Sequence, residues 1–257
     1  MKVLVIGATG SIGRHVVSQA IAAGHDTRAL VRDQRRGESM LPAAAELVVG
    51  DGNDPAAIEQ VVDGIDAIVF THGSHGATGA AEEIDYGLVH SALTALKGRT
   101  VRISLMTSIG VTVHDGPHNR STQAHDWKRR SERLVRVSGN PYTIVRPGWF
   151  DYNAPDERHI VFLQGDTRRA GNSSDGVIAR DEIARVLVDA LTIPEAAGKT
   201  LELVAEQGEE QADLTPDFAQ LTPDHPGAYD AALDPDTLPL KREPSTVREQ
   251  LESIKEN

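Results

Sequence analysis

Short apolar runs alternate with longer segments of mixed polarity through the first two thirds of the chain. The apolar runs predict six strands, at about 2–7, 27–32, 46–50, 66–70, 101–107 and 142–146, with helices between most of them. Four runs, VLVIG, AIVF, VRISLMT and YTIVR, are apolar nearly throughout, which is typical of strands that are covered on both faces. The alternation therefore predicts an α/β fold with a doubly wound parallel sheet.

The pattern changes after Arg146. An irregular stretch runs to about 175 and precedes a short strand near 176–179, a helix from Asp181 to Leu191 and a strand at 200–204. We expect one domain over residues 1–204, in which the part from about 147 forms a small substrate-binding region.

The last part of the chain is strongly acidic. From Ala205 onward it has 13 acidic and 4 basic side chains, and it shows little periodicity before a helix at 244–255. Residues 205–257 are therefore predicted to form an acidic C-terminal arm. The arm either wraps the body or a neighbouring subunit, or it is disordered.

Three glycines lie between the first apolar run and the helical pattern of residues 14–23. Gly7 would turn the chain, Gly10 would let the backbone approach a pyrophosphate, and Gly13 would let the helix pack closely on the strand. The unpaired N–H groups of the helix would then face the anion. The pattern predicts a dinucleotide site, with an ordinary tight turn as the alternative. The residues expected to bind the cofactor here are Gly7, Thr9, Gly10, Ser11, Ile12, Gly13 and Arg14.

The end of the second strand normally meets the adenosine ribose and so separates the two nicotinamide dinucleotides. Arg32 can bind a 2′-phosphate through a charge-assisted contact, and Arg14 lies on the same side of the site. Asp33 could instead accept from the ribose hydroxyls, which favours NAD. The sequence favours NADP as the cofactor and leaves NAD as the alternative.

Two later strand ends add candidate cofactor contacts. Asp51 and Gly52 follow the third strand, where a carboxylate can accept from the adenine amino group and a glycine leaves room for the ring. Thr71, His72 and Gly73 follow the fourth strand, beside the expected place of the nicotinamide ribose.

Composition narrows the functional classes. The chain has 257 residues, 39% of them hydrophobic, a net charge of -12 and no cysteine. The negative charge argues against nucleic acid as a partner, and the lack of cysteine removes disulfides, thiolate catalysis and thiolate-bound metals. No apolar run reaches membrane-spanning length and no signal peptide is evident, so we expect no membrane partner and a cytoplasmic location.

Two histidine pairs have spacings that could bind a metal. His72 and His75 form one pair, and His114 and His118 form the other. Both pairs are predicted to lie in loops and have no third ligand at a telling distance, so no metal site is expected.

The arrangement of these motifs resembles the short-chain dehydrogenase/reductase superfamily, in its atypical branch of NAD(P)-binding proteins. The resemblance covers about residues 1–204 and implies a single Rossmann domain with a small C-terminal substrate region. The residues that carry it are Gly7, Gly10, Gly13, Asp51, Thr107, Ser108, Lys128, Arg146, Pro147 and Gly148. Thr107, Pro147 and Gly148 are accordingly expected to contact the cofactor.

The resemblance also implies a catalytic Ser, Tyr and Lys, in which the Tyr gives a proton to the substrate carbonyl. Ser108 and Lys128 match by position, but Ala124 stands where the Tyr is expected, four residues before the Lys. Two hypotheses replace the missing acid. Either His125, on the same helix face as Lys128, delivers the proton, or the substrate is a quinone whose reduced anion needs no strong acid.

Three further side chains have a functional and a structural interpretation. Lys128 can hold the hydroxyls of the nicotinamide ribose, or it forms a surface ion pair with Glu132. Trp149 and Phe150 are expected to line an apolar substrate pocket, with burial in the core as the alternative.

Together these residues predict an NADP-dependent oxidoreductase that passes hydride to a ketone or a quinone-like aromatic substrate. If the reduced quinone then reacts with oxygen, such a protein could hydroxylate a ring in aromatic polyketide tailoring. A non-catalytic NADP-binding sensor or scaffold is the alternative, and a sugar-nucleotide epimerase or dehydratase is a weaker one.

The Arg-rich helix at about 122–138 bears on possible subunit contacts. A homodimer is expected to use the exposed faces of this helix and of the helix at about 82–97. The arginines of the former, Arg129, Arg130, Arg133 and Arg136, are expected on a solvated or subunit-facing surface.

Overall fold

The computed structural model describes residues 1–74, 77 and 79–256. Within them a ten-stranded sheet has the order β3-β2-β1-β4-β5-β6-β10-β9-β7, and β8 pairs with β10. The strands are β1 Lys2–Ile6, β2 Asp26–Val31, β3 Glu46–Val49, β4 Ala67–Phe70, β5 Arg102–Met106, β6 Tyr142–Pro147, β7 Trp149–Phe150, β8 His159–Leu163, β9 Val177–Ile178 and β10 Lys199–Glu206.

The first six strands and β10 run parallel. Val3 of β1 lies opposite Thr27 of β2 and Ala67 of β4, and Thr143 of β6 lies opposite Lys199 of β10. Only β8 and β9 pair antiparallel to β10 among the described strands. The predicted α/β fold with a doubly wound sheet is therefore confirmed. Since the strands are parallel, the segments after β1, β2, β3, β4, β5 and β6 all begin at the same edge of the sheet.

Helices cover both faces of the sheet. They are α1 Gly13–Ala22, α2 Gln34–Met40, α3 Pro55–Val62, a π-helix Glu82–Gly87 that continues as α4 Leu88–Leu96, α5 Pro117–Thr122, α6 Ala124–Val137, α7 Arg180–Asp189, α8 Thr215–Gln220 and α9 Ser245–Glu256. One core contains residues of α1, α7 and α8, and the other contains residues of α3, α4, α6 and α9. No described helix has the length and apolar character to cross a membrane.

The C-terminal arm is folded onto the body through residue 256. Val247, Leu251 and Ile254 of α9 are buried in the same core as α4 and α6. A dimer through the faces of α4 and α6 would have to displace α9. The homodimer and the division of the chain at residues 204 and 205 stay predictions.

The expectation that the arginines of α6 form a solvated or subunit-facing surface is wrong. Arg129, Arg130, Arg133 and Arg136 are all buried. Their partners are carboxylates of the arm, which approach from residues 224–243: Asp230 binds Arg129 and Arg133, Glu243 binds Arg130 and Arg133, and Asp224 binds Arg136. A guanidinium can be buried here because each has an opposite charge within hydrogen-bond distance.

Candidate active site

The glycine turn between β1 and α1 is built by close backbone approach. Gly7 has φ +90°, and a Cβ there would lie 2.6 Å from the backbone nitrogen of His72. A Cβ on Gly13 would lie 2.1 Å from the carbonyl oxygen of Gly7. Neither position can hold a larger residue without movement of the backbone, so both glycines are required by the turn itself.

The surface of this turn has the features of an anion site. A Cβ on Gly10 would lie 3.0 Å from the carbonyl oxygen of Gly7, with no other heavy atom of the described chain within 4 Å. The backbone N–H groups of Ser11 and Ile12 donate to no backbone carbonyl of the described residues. Thr9 is half-buried beside them. Unpaired N–H groups where a helix begins are suited to a phosphate, so the turn fits the pyrophosphate of a dinucleotide.

Arg14 and Arg32 are both exposed at this edge of the sheet. Neither side chain has a hydrogen bond or an ion pair within the described part of the chain, whereas most of the other arginines do. Asp33 caps α2, because its Oδ1 accepts from the backbone nitrogen of Arg36 at 2.8 Å. The cap gives Asp33 a structural role and leaves the two guanidinium groups available.

Three of the other predicted cofactor contacts, two near the adenosine end and Thr71 near the nicotinamide ribose, have partly structural roles. Asp51 is exposed, and its Oδ1 accepts from the backbone nitrogen of Asn53 at 3.0 Å. Gly52 is buried under α4, where a Cβ would lie 2.4 Å from Leu88. The hydroxyl of Thr71 donates to the carbonyl of Ile6 at 3.2 Å and so ties β4 to β1.

Lys128 lies in a pair that the sequence did not indicate. Its Nζ donates to Oδ1 of Asp85 at 2.7 Å, and the hydroxyl of Ser74 donates to Oδ2 of the same carboxylate at 2.5 Å. A Cβ on Gly73 would lie 3.6 Å from both Lys128 Nζ and Asp85 Oδ1. The alternative ion pair of Lys128 with Glu132 is wrong, because Glu132 is fully buried and binds Arg146.

Asp85 was missed because its position depends on the π-helix. A π-helix widens the turn by one residue and is often found at functional sites. In the sequence EEIDYG, Asp85 is the third acid of an otherwise surface-like segment, whereas in the structure it is 3% exposed and faces Lys128. An acid at this place carries no local sequence signal that separates it from Glu82 and Glu83.

Ser108 follows β5 and carries an unsatisfied hydroxyl. Its Oγ is buried and has no hydrogen-bond partner among the described residues. The neighbouring Thr107 does not share this feature, because its hydroxyl donates to Oε1 of the buried Glu132 at 2.7 Å. A buried polar atom without a partner costs free energy unless a ligand satisfies it, so Ser108 fits a substrate-binding role.

Two histidines of the site are held neutral. Burial and the nearby ammonium of Lys128 lower the pKa of His72 to about 4. Burial, with His118 next to it, also lowers the pKa of His125. The Nδ1 atoms of both are buried without a partner in the described structure. A lowered pKa means that only a small fraction of the His125 imidazole is protonated at neutral pH, so His125 is poorly suited to act as a general acid.

Residue 124 adds no acid. Ala124 is 3% exposed and begins α6. Lys128 lies one turn further along α6 and faces the segment after β4, because a Cβ on Gly73 would lie 3.6 Å from its Nζ.

The segment after β6 contains a close backbone approach at Gly148, followed by the aromatic side chains of Trp149 and Phe150. Pro147 ends β6, and Gly148 after it is buried. A Cβ on Gly148 would lie 2.5 Å from the carbonyl oxygen of Gly176, so no larger residue fits there. Trp149 is 38% exposed, and its ring meets Tyr152 edge-on at 6.2 Å. Phe150 is half-buried and packs against the core under Arg180. Phe150 thus contributes mainly to packing, whereas Trp149 is partly exposed, and the substrate pocket predicted for the two side chains stays a prediction.

The histidine pairs do not form a metal centre in the described residues. His114 Nδ1 lies 2.9 Å from Asp126, and the rings of His118 and His125 are 5.0 Å apart. His75 lies outside the described residues. No group of three or more suitable ligands is found within the part of the chain that the structure describes.

Known proteins share both the sequence and the fold. A family model described as NAD(P)H-binding matches residues 7–194. The chain belongs to this NAD(P)H-binding family. The matched range includes the glycine turn, Ser108, Lys128 and Pro147, so the candidate site lies within the family's domain.

Relatives of this NAD(P)H-binding protein include reductases. Sanguinarine reductase of Eschscholzia californica is 26% identical and covers 86% of this chain and 96% of its own length. A structure from Bacillus halodurans, named as a candidate NAD-dependent epimerase/dehydratase, has a TM-score of 0.69 at 24% identity and covers 86% of this chain and all of its own. The NADPH-dependent quinone oxidoreductase QOR2 of Escherichia coli, solved with NADPH, has a TM-score of 0.58 at 17% identity over 80% of this chain and 71% of its own.

The predicted resemblance is confirmed at the level of the family and the fold. The chain has an NAD(P)-binding Rossmann domain, and its relatives include epimerase-like and reductase proteins.

Proposed function

We propose that the chain is an NADPH-dependent reductase that passes a hydride to a quinone-like aromatic substrate, in preference to a simple ketone. The observation that carries the proposal is the unsatisfied hydroxyl of Ser108 at the same sheet edge as Lys128, without an acid at residue 124. A bound NADPH would supply the hydride, and the residues of the chain would bind the cofactor and orient the substrate.

The geometry of the site supports the following binding roles. The glycine turn and the N–H groups of Ser11 and Ile12 bind the pyrophosphate. Arg14 and Arg32, which have no partners in the described structure, bind the 2′-phosphate that distinguishes NADP from NAD. Lys128 holds the hydroxyls of the nicotinamide ribose, and Asp85 fixes its ammonium.

The lowered pKa of His125 supports a quinone over a ketone as the substrate. Reduction of a ketone gives an alkoxide, which needs a proton at once, whereas reduction of a quinone gives a stabilised anion that can take its proton from water. Because burial lowers the pKa of His125, this imidazole is mostly neutral near pH 7. Ser108 can still donate a hydrogen bond to the substrate oxygen. The site therefore favours the quinone, and the setting in polyketide tailoring stays a prediction.

The test is rapid mixing of the protein and NADPH with 1,4-naphthoquinone, followed by NADPH absorbance. We expect oxidation at least about 10-fold faster than the uncatalysed reaction. Ser108→Ala should lower kcat by roughly 10²-fold, as loss of one oxyanion donor does elsewhere. Lys128→Met should weaken NADPH binding, whereas Lys241→Met, at an exposed position of the arm, serves as its control.

His125→Gln separates the two proton hypotheses. If water supplies the proton, this variant keeps most of the naphthoquinone activity. Loss of activity on naphthoquinone would assign the acid to His125 instead. Tight binding of both NADPH and NADP without turnover of any quinone or ketone would refute the reductase and favour the sensor or scaffold.

A further inference from the structure

The loop that carries Ser108 is held by hydrogen bonds on both sides of that residue. Before Ser108, the hydroxyl of Thr107 donates to the buried Glu132. After Ser108, the backbone N–H groups of Gly110 and Thr112 both donate to one carboxylate, that of Asp166, at 2.6 and 2.8 Å. Between β5 and α5 the described loop has no helix or strand. The backbone N–H of Ile109 also donates to the carbonyl of Pro147 at 3.1 Å, and the hydroxyl of Thr237 donates to the carbonyl of Thr112 at 2.6 Å. The carboxylate of Asp166 contributes the two bonds that hold Gly110 and Thr112 together.

Asp166 is itself fixed to the sheet. It is fully buried, and its backbone N–H donates to Oε2 of Glu202 on β10 at 3.0 Å. The other oxygen of Glu202 accepts from Arg146 on β6 at 3.3 Å. Arg169 donates to the carbonyl of Asp166 at 2.8 Å. The carboxylate is therefore a rigid acceptor that connects the loop after β5 to two strands of the sheet.

The charge of Asp166 suits this function. A carboxylate that accepts two backbone N–H groups makes two charge-assisted bonds, which are shorter and stronger than bonds between neutral groups. Asparagine has nearly the same shape but presents one acceptor and one N–H₂ donor, so it can accept from only one of the two backbone groups without a clash.

We propose that Asp166 is a positioning residue, which holds the backbone of Gly110 and Thr112 so that the Ser108 hydroxyl keeps its place at the substrate site. Its catalytic part rests on the proposed reductase function. A displacement of about 1 Å in a positioned group can cost roughly 10²-fold in rate, so a small loop movement is enough to impair turnover.

The variant Asp166→Asn tests the proposal, and Asp175→Asn is a matched control. Asp175 is also buried and accepts from two backbone N–H groups, those of Ala170 and Gly171 at 2.7 and 2.6 Å, but it lies outside the Ser108 loop. We expect Asp166→Asn to lower kcat with naphthoquinone by roughly 10- to 100-fold. The Kd for NADPH should stay within about twofold, because the glycine turn is untouched. Asp175→Asn should lower kcat clearly less than Asp166→Asn does, because its bonds to Ala170 and Gly171 do not hold the Ser108 loop.

Hydrogen exchange of backbone amides gives a readout that does not depend on activity. In Asp166→Asn the amides of Gly110 and Thr112 should exchange at least about 10-fold faster, whereas amides of β1 and β4 keep their protection. Unchanged exchange at both amides, or an unchanged kcat with faster exchange, would overturn the proposal. If the wild-type protein reduces no quinone but the two amides respond, the reductase function fails while the anchoring of the loop holds.

Discussion

The glycine turn and the C-terminal arm are held by different kinds of interaction. At the turn, backbone atoms of neighbouring segments approach so closely that only glycine fits at residues 7 and 13. At the arm, buried arginines of α6 and β6 bind carboxylates that are far away along the chain, such as Arg130 and Glu243, which are 113 residues apart. The first kind of interaction leaves a local signal in the sequence, and the second does not.

Arg146 should show the largest effect of any single substitution. It is fully buried and binds Glu132 of α6, Glu202 of β10 and Asp234 of the arm. Arg146→Met would leave three buried carboxylates short of a positive partner, so we expect the free energy of unfolding to fall by about 3–5 kcal/mol. Denaturant unfolding measures this change.

The matched control for Arg146 is an exposed ion pair. Glu59 and Lys97 lie 3.0 Å apart, and both side chains are more than half exposed. Glu59→Ala should change the unfolding free energy by less than about 1 kcal/mol. Equal losses in the two variants would show that burial does not determine how much an ion pair contributes to the stability of this protein.

Gly13→Ala should show the next largest effect and should act on both stability and binding. The added Cβ would meet the carbonyl oxygen of Gly7 at 2.1 Å, and only movement of α1 away from β1 could relieve this clash. We expect a loss of about 2–3 kcal/mol in unfolding free energy, together with loss of NADPH binding detected by nucleotide fluorescence.

Gly24→Ala is the control for the glycine turn. Gly24 also has a positive φ, +81°, but nothing in the described chain lies within 4 Å of its added Cβ. It should cost only about 1 kcal/mol, from the left-handed backbone alone, and leave NADPH binding intact. If Gly13→Ala bound NADPH as well as the wild type, the turn would not be the pyrophosphate site.

These contrasts explain which parts of the molecule the sequence could predict. The strand predicted at 2–7 from a continuous apolar run is β1 at Lys2–Ile6, and the Arg-rich helix predicted at about 122–138 is α6 at Ala124–Val137. Parallel strands then gather the loop residues after each strand at one edge. The predicted parallel order was therefore enough to place the glycine turn, Thr71, Ser108 and Pro147 at one edge of the sheet, although their contacts were not known.

Pairing of charges could not be predicted in the same way. The arginines of α6 have the pattern of an exposed helix face, and only the folded arm shows that Asp224, Asp230 and Glu243 cover them. Asp85 was missed for a related reason, since the π-helix changes which side of the segment faces Lys128. The acidic composition of the arm predicted a separate segment but not its partners.

His72 and Glu202 should contribute to the pH dependence of stability with opposite signs. Burial lowers the pKa of His72 from 6.5 to about 4, so the unfolded chain binds more protons in this range and stability falls as the pH drops. Burial raises the pKa of Glu202 from 4.5 to about 7, so the folded chain binds more protons and stability falls as the pH rises. The two contributions partly cancel in the wild type.

Single variants separate the two contributions. The quantity to measure is the unfolding free energy at pH 7 minus that at pH 5. His72→Gln should lower this difference by roughly 1–2 kcal/mol, and Glu202→Gln should raise it by a similar amount. The double variant should return close to the wild-type difference, because the effects oppose each other. Shifts of the same sign in both single variants would contradict this assignment.

Arg32→Ala should show the smallest effect, and one confined to the cofactor. Arg32 is exposed and has no ion pair or side-chain hydrogen bond in the described structure, so its loss should leave the unfolding free energy nearly unchanged. An exposed contact with a 2′-phosphate is screened by water, and we expect the Kd for NADPH to rise only about 10-fold, or about 1.4 kcal/mol.

The Kd for NADH should not change in Arg32→Ala, because NADH lacks the 2′-phosphate. Arg35→Ala, at an exposed position of α2, should leave both dissociation constants unchanged. Equal weakening of NADPH and NADH would remove Arg32 from the 2′-phosphate site and return the choice of cofactor to Asp33. Arg32 and Arg146 carry the same charge, but Arg146 stabilises the fold because its carboxylate partners are buried with it, whereas the exposed Arg32 is available to select a ligand.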